Sequence, residues 1–104
     1  DKKYREQYDV ATARAVANLN ALAEYCLPLV RVGGQFLALK GAAGEEELAA
    51  AAGAVTKLGG RVEAVHRYAL PCGDARVLIV IRKEKPTPPV YPRTAALMKK
   101  KPLT

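Results

Sequence analysis

The motifs that usually announce an enzyme are missing from this chain of 104 residues. It contains no G-x-G-x-x-G, no P-loop, no G-x-S-x-G and no H-E-x-x-H, so dinucleotide, P-loop, serine-hydrolase and zinc-protease sites have no signature here. Cysteine is scarce. Cys26 and Cys72 stand far apart without C-x-x-C spacing, which argues against a disulfide framework or a zinc site and fits a reducing cytosol. His66 has no second histidine and no cysteine near it, so a surface or cross-strand position is the plain reading. No apolar run approaches the roughly 20 residues that a membrane helix needs. The opening D-K-K-Y-R-E is polar and has no secretory character. It also lacks an initiator Met, and the chain reads as a fragment of a larger domain.

What is present is a basic, globular composition. Half of the residues are hydrophobic and a quarter charged, which excludes a disordered chain. Lys and Arg number 17 against 10 acidic residues, a formal net charge of +7. That balance suits a polyanionic partner or plain solubility, and charge alone does not choose.

The periodicities predict strand, helix, strand, helix, strand, strand. Tyr8 to Ala13 reads as a short first strand. Leu19, Leu22, Ala23, Cys26 and Val30 recur at helical spacing, with Asn18 as N-cap and Pro28 distorting the last turn. Gly33-Gly34 is expected to stop that helix. Gln35 to Lys40 is a second strand, nearly continuous in apolar residues. Glu45, Glu46 and Glu47 open a second helix at the end that favours negative charge, with Leu48, Ala51, Ala52, Val55 and Leu58 as its buried face. Arg61 to Leu70 and Ala75 to Lys83 are strands joined by Pro71-Cys72-Gly73-Asp74, so they must be antiparallel. The two crossovers are expected to be right-handed and to give a parallel pair with helices against the sheet. A sheet this small leaves an edge bare beside the first strand, open to self-association.

Residues 1–85 thus form an α/β unit, and residues 86–104 a Pro-rich basic segment expected to be an extended tail. The polar residues of interest gather at two places. Arg14 and Lys40 each end a strand, and ligands of open α/β sheets bind outside the carboxyl ends of parallel strands. Arg14 is either a ligand cation there or a surface arginine paired with a carboxylate. Arg93, Lys99, Lys100 and Lys101 make the tail cationic, for phosphate contact or for solvation.

The runs Y-D-V-A-T-A-R-A-V-A-N-L and L-A-E-Y-C-L-P-L-V-R-V-G-G-Q-F-L-A-L-K-G carry a resemblance. So do L-P-C-G-D-A-R-V-L-I-V-I-R-K, T-P-P-V-Y-P-R and K-K-P-L. Together they resemble the bacterial 16S ribosomal RNA methyltransferase G family, also called glucose-inhibited division protein B, over nearly the whole chain and in the family's order. One stretch departs: Ala96-Leu97-Met98 stands where the family tends to have a Gly-Thr-Pro-like run.

The resemblance implies the carboxyl-terminal half of a Rossmann-like class I methyltransferase, a mostly parallel sheet whose last strand is antiparallel. It implies S-adenosyl-L-methionine as cofactor, with Arg14 at a family cofactor-binding position. It implies methyl transfer to N7 of a guanine in 16S ribosomal RNA, or in a small-subunit assembly intermediate, in the cytoplasm. The family's glycine-rich loop and ribose-binding acid are not in these residues, so the fragment alone is expected to be inactive. Lys40, Arg93, Lys99, Lys100 and Lys101 would meet RNA. The rival reading is a non-catalytic basic RNA-binding module, and a third is a nucleotide-binding regulatory domain.

Overall fold

A computed structural model describes residues 5–14, 18–41 and 43–103. Its centre is a four-stranded sheet of β1 (Tyr8–Arg14), β2 (Val30–Lys40), β3 (Gly60–Ala69) and β4 (Ala75–Lys83) in the order β1-β2-β4-β3. β1 and β2 are parallel, and β4 is antiparallel to both of its neighbours, β2 and β3. Three strands therefore point one way, and β4 slots between two of them in reverse. The sheet is mostly parallel by strand direction, yet most of its pairings are antiparallel because the reversed strand is internal. β1 forms one edge, paired with β2 among the described residues, so its expected open flank is there.

Helices α1 (Leu19–Cys26) and α2 (Gly44–Lys57) supply the two crossovers and pack against each other on one face of the sheet. Alternation along the strands puts Phe36 and Ala38 of β2 and Val77, Ile79 and Ile81 of β4 under those helices. Leu19, Ala23, Ala51, Val55 and Leu58 meet them from above. On α2, Ala54 is buried and Ala52 exposed, the reverse of the expected face. Ala54 lies three residues after Ala51 and so shares its side of the helix. On the opposite sheet face Leu37, Leu39 and Leu78 are half-buried.

Three local expectations change. The first helix ends at Cys26 in a 3-10 turn, Leu27–Leu29, with Pro28 at its start, where proline is tolerated. The Gly33-Gly34 pair does not stop a helix; it lies inside β2, which begins at Val30. Between the pairs Tyr8↔Val30 and Val10↔Gln35 the register shifts, so the glycines sit in an irregularity opposite Asp9. A Cβ on Gly34 would meet the Asp9 carbonyl oxygen at 2.5 Å, so only glycine lets the two backbones approach this closely. Finally, residues 84–103 are not an extended tail. They fold back, and α3 (Ala95–Lys100) forms with the Thr94 side chain accepting from the Leu97 amide as N-cap. Met98 and Leu103 are buried.

The fold-back is anchored at the far end of the sheet. The Lys83 side chain is 0% exposed, and its ammonium donates to the carbonyls of Leu27 (2.7 Å) and Val30 (2.8 Å). Glu6 completes the cage at 3.0 Å and also accepts from the Thr87 amide. Burial pushes the Lys83 pKa below the ordinary lysine range despite Glu6, which acts in the opposite sense. Burial alone would raise the Glu6 pKa, but hydrogen bonds from Lys83 and Thr87 and the nearby charges leave it lowered. Arg5 donates to the carbonyls of Thr87, Pro88 and Tyr91, and the Thr87 hydroxyl donates to Leu58. Replacing Lys83 with Ala leaves a carboxylate and two carbonyls without their cation. The expected loss is about 3 kcal/mol of stability, read by urea denaturation; a loss below about 0.5 kcal/mol, as at an ordinary surface site, would reject this role.

Candidate cofactor and nucleic-acid site

The carboxyl ends of β1, β2 and β3 lie along one edge, joined there by the β3–β4 hairpin. The turn is closed by the Leu70 amide donating to Asp74 and the Gly73 amide donating to Leu70. A cleft of about 540 Å³ opens at this edge, lined by Arg14, Lys40, Tyr68, Leu70 and Arg76 among others. The register explains the grouping. Arg14 pairs with Leu39, Leu39 with Leu78, and Tyr68 with Arg76, so side chains distant in sequence end at one height.

Arg14 is the last residue of β1, one beyond the expected strand end, and it is exposed. Among the described residues no carboxylate pairs with it. The neighbouring Val16, at the end of the sequence motif, lies outside the described residues. Tyr68 and Arg76 escaped the sequence reading. A tyrosine near a strand end and an arginine just past a turn carry no signal until the hairpin register places them opposite each other.

Lys40 lines the same cleft but is turned inward. It shares the parity of Phe36 and Ala38, so alternation sends it to the helix-covered face. Its side chain is 4% exposed, and its ammonium lies 2.8 Å from a Glu47 carboxylate oxygen. The same oxygen accepts the Leu19 amide at 3.0 Å. Glu47 thus takes the first amide of α1 and the Asn20 side chain accepts from the Ala21 amide, while Asn18 has the extended N-cap backbone but makes no side-chain cap bond. The acidic triplet is divided among partners, since Glu45 pairs with Arg67 on β3.

The tail cations separate into two groups. Arg93 is an internal anchor: its backbone amide and guanidinium donate to Glu24 on α1 at 2.8 to 2.9 Å. Glu24 is 1% exposed, a buried carboxylate that the helix pattern did not flag. Lys99, Lys100 and Lys101 are exposed on the last turn of α3 and just beyond it. His66 is exposed on β3 opposite Leu78.

A helix-covered sheet with its last strand inserted in reverse, and a cleft at its carboxyl edge, has the architecture of the second half of the Rossmann-like class I methyltransferase fold. A solved structure bears the arrangement out: a T. thermophilus 16S rRNA N2-guanine methyltransferase (RsmC), in complex with AdoMet and guanosine, has the same fold over 82% of this chain and 22% of its own, with a TM-score of 0.51 and 18% identity. The model of the family described as rRNA small subunit methyltransferase G (GidB) matches residues 1–76. Proteins called ribosomal RNA small subunit methyltransferase G are similar over nearly all of the chain. The one from Symbiobacterium thermophilum is 59% identical, covering 96% of this chain and 41% of its own, and the one from Moorella thermoacetica 55% identical, covering 98% and 43%. The chain belongs to this family, and it spans about two fifths of the length of these relatives.

The Glu24–Arg93 anchor sets an acid limit on the tail. The hydrogen bonds from Arg93 hold the Glu24 carboxyl below the usual carboxylate range, against the opposing effect of burial. A lowered folded-state pKa gives stability that is present above the unfolded pKa and lost as pH falls through the folded one. Protection of the Met98 and Lys101 amides, taken relative to the intrinsic exchange rate at each pH, is therefore expected to fall as pH drops through the ordinary carboxylate range and below it, and Glu24→Gln to lower it at neutral pH. Protection unchanged in the variant would show that the anchor does not hold the tail.

Proposed function

We propose that this chain forms the carboxyl-terminal part of an enzyme that transfers a methyl group from S-adenosyl-L-methionine to N7 of a guanine in 16S ribosomal RNA. The observation that supports this best is the cleft at the carboxyl edge of the sheet, with Arg14 at its rim. Its residues suit the cofactor: Arg14 and Arg76 are cations for a carboxylate, and Tyr68 offers an aromatic surface. Bound there, the cofactor supplies an electrophilic methyl group on a sulfonium sulfur. Arg14 forms one wall of the pocket and orients the bound group. The facing wall, with a glycine-rich strand-to-helix turn, belongs to the part of the family's length that these residues do not span.

Guanine N7 carries a lone pair and no proton, so its methylation asks for no general base. Orientation of nucleophile and methyl group is then the main task. Residues that bind and position, rather than residues that move protons, are what such a cleft has to provide. Lys99, Lys100 and Lys101 are the phosphate contacts in this reading, while Lys40 and Arg93 hold the frame through Glu47 and Glu24. The substrate is 16S ribosomal RNA or a small-subunit assembly intermediate, and the site of action the cytoplasm.

Two measurements on the full-length protein test the two halves of this reading. Arg14→Ala is expected to weaken cofactor binding roughly tenfold, the effect of losing one hydrogen bond to a charged group; unchanged affinity in titration calorimetry would end the cofactor role. The triple change of Lys99, Lys100 and Lys101 to Gln should weaken RNA binding and reduce the slope of log K against log salt by about 2, at about 0.7 per phosphate on a single strand. An unchanged slope would reject phosphate contact by the tail.

A further inference from the structure

The fold-back of residues 84–103 builds a second surface feature that the cleft does not use. α1 and α3 run antiparallel, because Glu24 meets Arg93 at one end while the Asn20 amide donates to the Leu103 carbonyl at the other. Between them lies a groove of about 380 Å³. Ala21 and Tyr25 line it from α1 at helical spacing, with Asn18 at that helix's N-cap, and Ala95, Met98 and Lys99 from α3. From Asn18 to Tyr25 it extends roughly 10 Å at 1.5 Å per residue. Next to Asn18, the Leu19 amide shares a Glu47 oxygen with Lys40, which lines the cleft, so this end of the groove is on the carboxyl-edge side of the sheet.

Its chemistry is selective. Tyr25 is 48% exposed although it sits on a helix whose other large apolar residues are buried. Among the described residues no carboxylate lines the groove, and Lys99 supplies positive charge, with Lys100 and Lys101 next to it on the chain. Asn18 makes no side-chain cap bond, and the Ala21 amide donates to the Asn20 side chain instead, so the Asn18 side-chain amide is not committed to the helix. An exposed aromatic, an uncommitted amide and a cation along one groove are the parts that hold an unpaired nucleotide: stacking, edge recognition and phosphate contact.

We propose that the groove between α1 and α3 seats an unstacked nucleotide of the RNA substrate, its base on Tyr25 and its phosphate on Lys99. The proposal rests on the RNA-methyltransferase reading above and adds to it a base-stacking site away from the methyl-transfer cleft. Strand held there is aimed along α1 toward the carboxyl edge. The tail therefore supplies more than charge: it makes one wall of the groove.

The test uses full-length protein and a fluorescein-labelled single-stranded RNA 12-mer, followed by anisotropy over a salt series, with an RNA duplex of the same sequence as control. Tyr25→Ala is expected to weaken single-strand binding about tenfold, as loss of one base-stacking aromatic does. Tyr25→Phe keeps the ring and should bind like the parent. The salt slope should be unchanged in Tyr25→Ala, since stacking releases no counterions, and lower in Lys99→Gln. Duplex binding should not respond to Tyr25, because paired bases offer no free face. Cofactor affinity should be unaltered in all of these variants. Parent-like single-strand binding by Tyr25→Ala would overturn the proposal, as would a loss in Tyr25→Phe as large as in Tyr25→Ala, which would point to the hydroxyl. If Lys99→Gln alone weakens binding, this site fails and the tail's role in RNA binding stands; if neither variant does, both fail.

Discussion

The structure turns on one buried ammonium. Lys83 ends the internal strand β4, at the end of the sheet away from the cleft, and has no exposed surface. A lone charge there would be prohibitively costly, so two carbonyls and Glu6 must surround it. Each partner comes from a different place: the 3-10 turn after α1, the start of β2, and the segment before β1. Satisfying one charge therefore fixes where α1 ends, where β2 begins and how the chain enters β1. Thr87 joins the same cage through its amide to Glu6, so the return of the tail starts from it as well.

At the other end of the sheet a carboxylate does the corresponding job. Glu47 reaches from α2 to the first amide of α1 and to the Lys40 ammonium. It thereby ties together the end of β2 and the starts of both crossover helices, the elements that frame the cleft. Lys40 and Arg14 illustrate how a strand decides between frame and ligand. Both end parallel strands, but Lys40 is in phase with Phe36 and Ala38 and goes inward, while Arg14 lies on the opposite parity from Ala11 and Ala13, which pack on the core. The cation left at the rim is the one out of phase with the core.

That parity was available in the sequence, since counting by twos from Phe36 reaches Lys40. It was obscured because a lysine at a strand end reads as an exit to solvent. Strand, helix, strand, helix and hairpin were legible from periodicity and from Pro71-Cys72-Gly73-Asp74. The family was legible from motifs such as T-A-R-A-V. Gly33-Gly34 misled because a glycine pair after a helix looks like a stop, whereas here it meets the needs of a close strand approach at Asp9. Glu24 and Arg93 could not be matched from sequence, because nothing in a helical pattern says which distant cation will reach a buried carboxylate. Tyr68 and Arg76 became neighbours only once the hairpin register was known.

The tail shows why a basic segment cannot be read by charge alone. Prolines between Glu84 and Arg93 exclude helix and central strand but not packing. Rigid turns lower the entropic cost of bringing Thr87 and Tyr91 back to the core, and Arg5 then takes three carbonyls that no ladder satisfies. Arg93 finishes the return. A guanidinium fork can engage both oxygens of Glu24 while the backbone amide of the same residue takes one of them again, which fixes direction as well as position. A lysine would give a point contact and leave the segment free to swivel. With its direction fixed, the following helix must lie along α1, and its last turn must place Lys99 beside the groove that starts near Asn18. The position of the exposed cations is thus a consequence of the half-buried one.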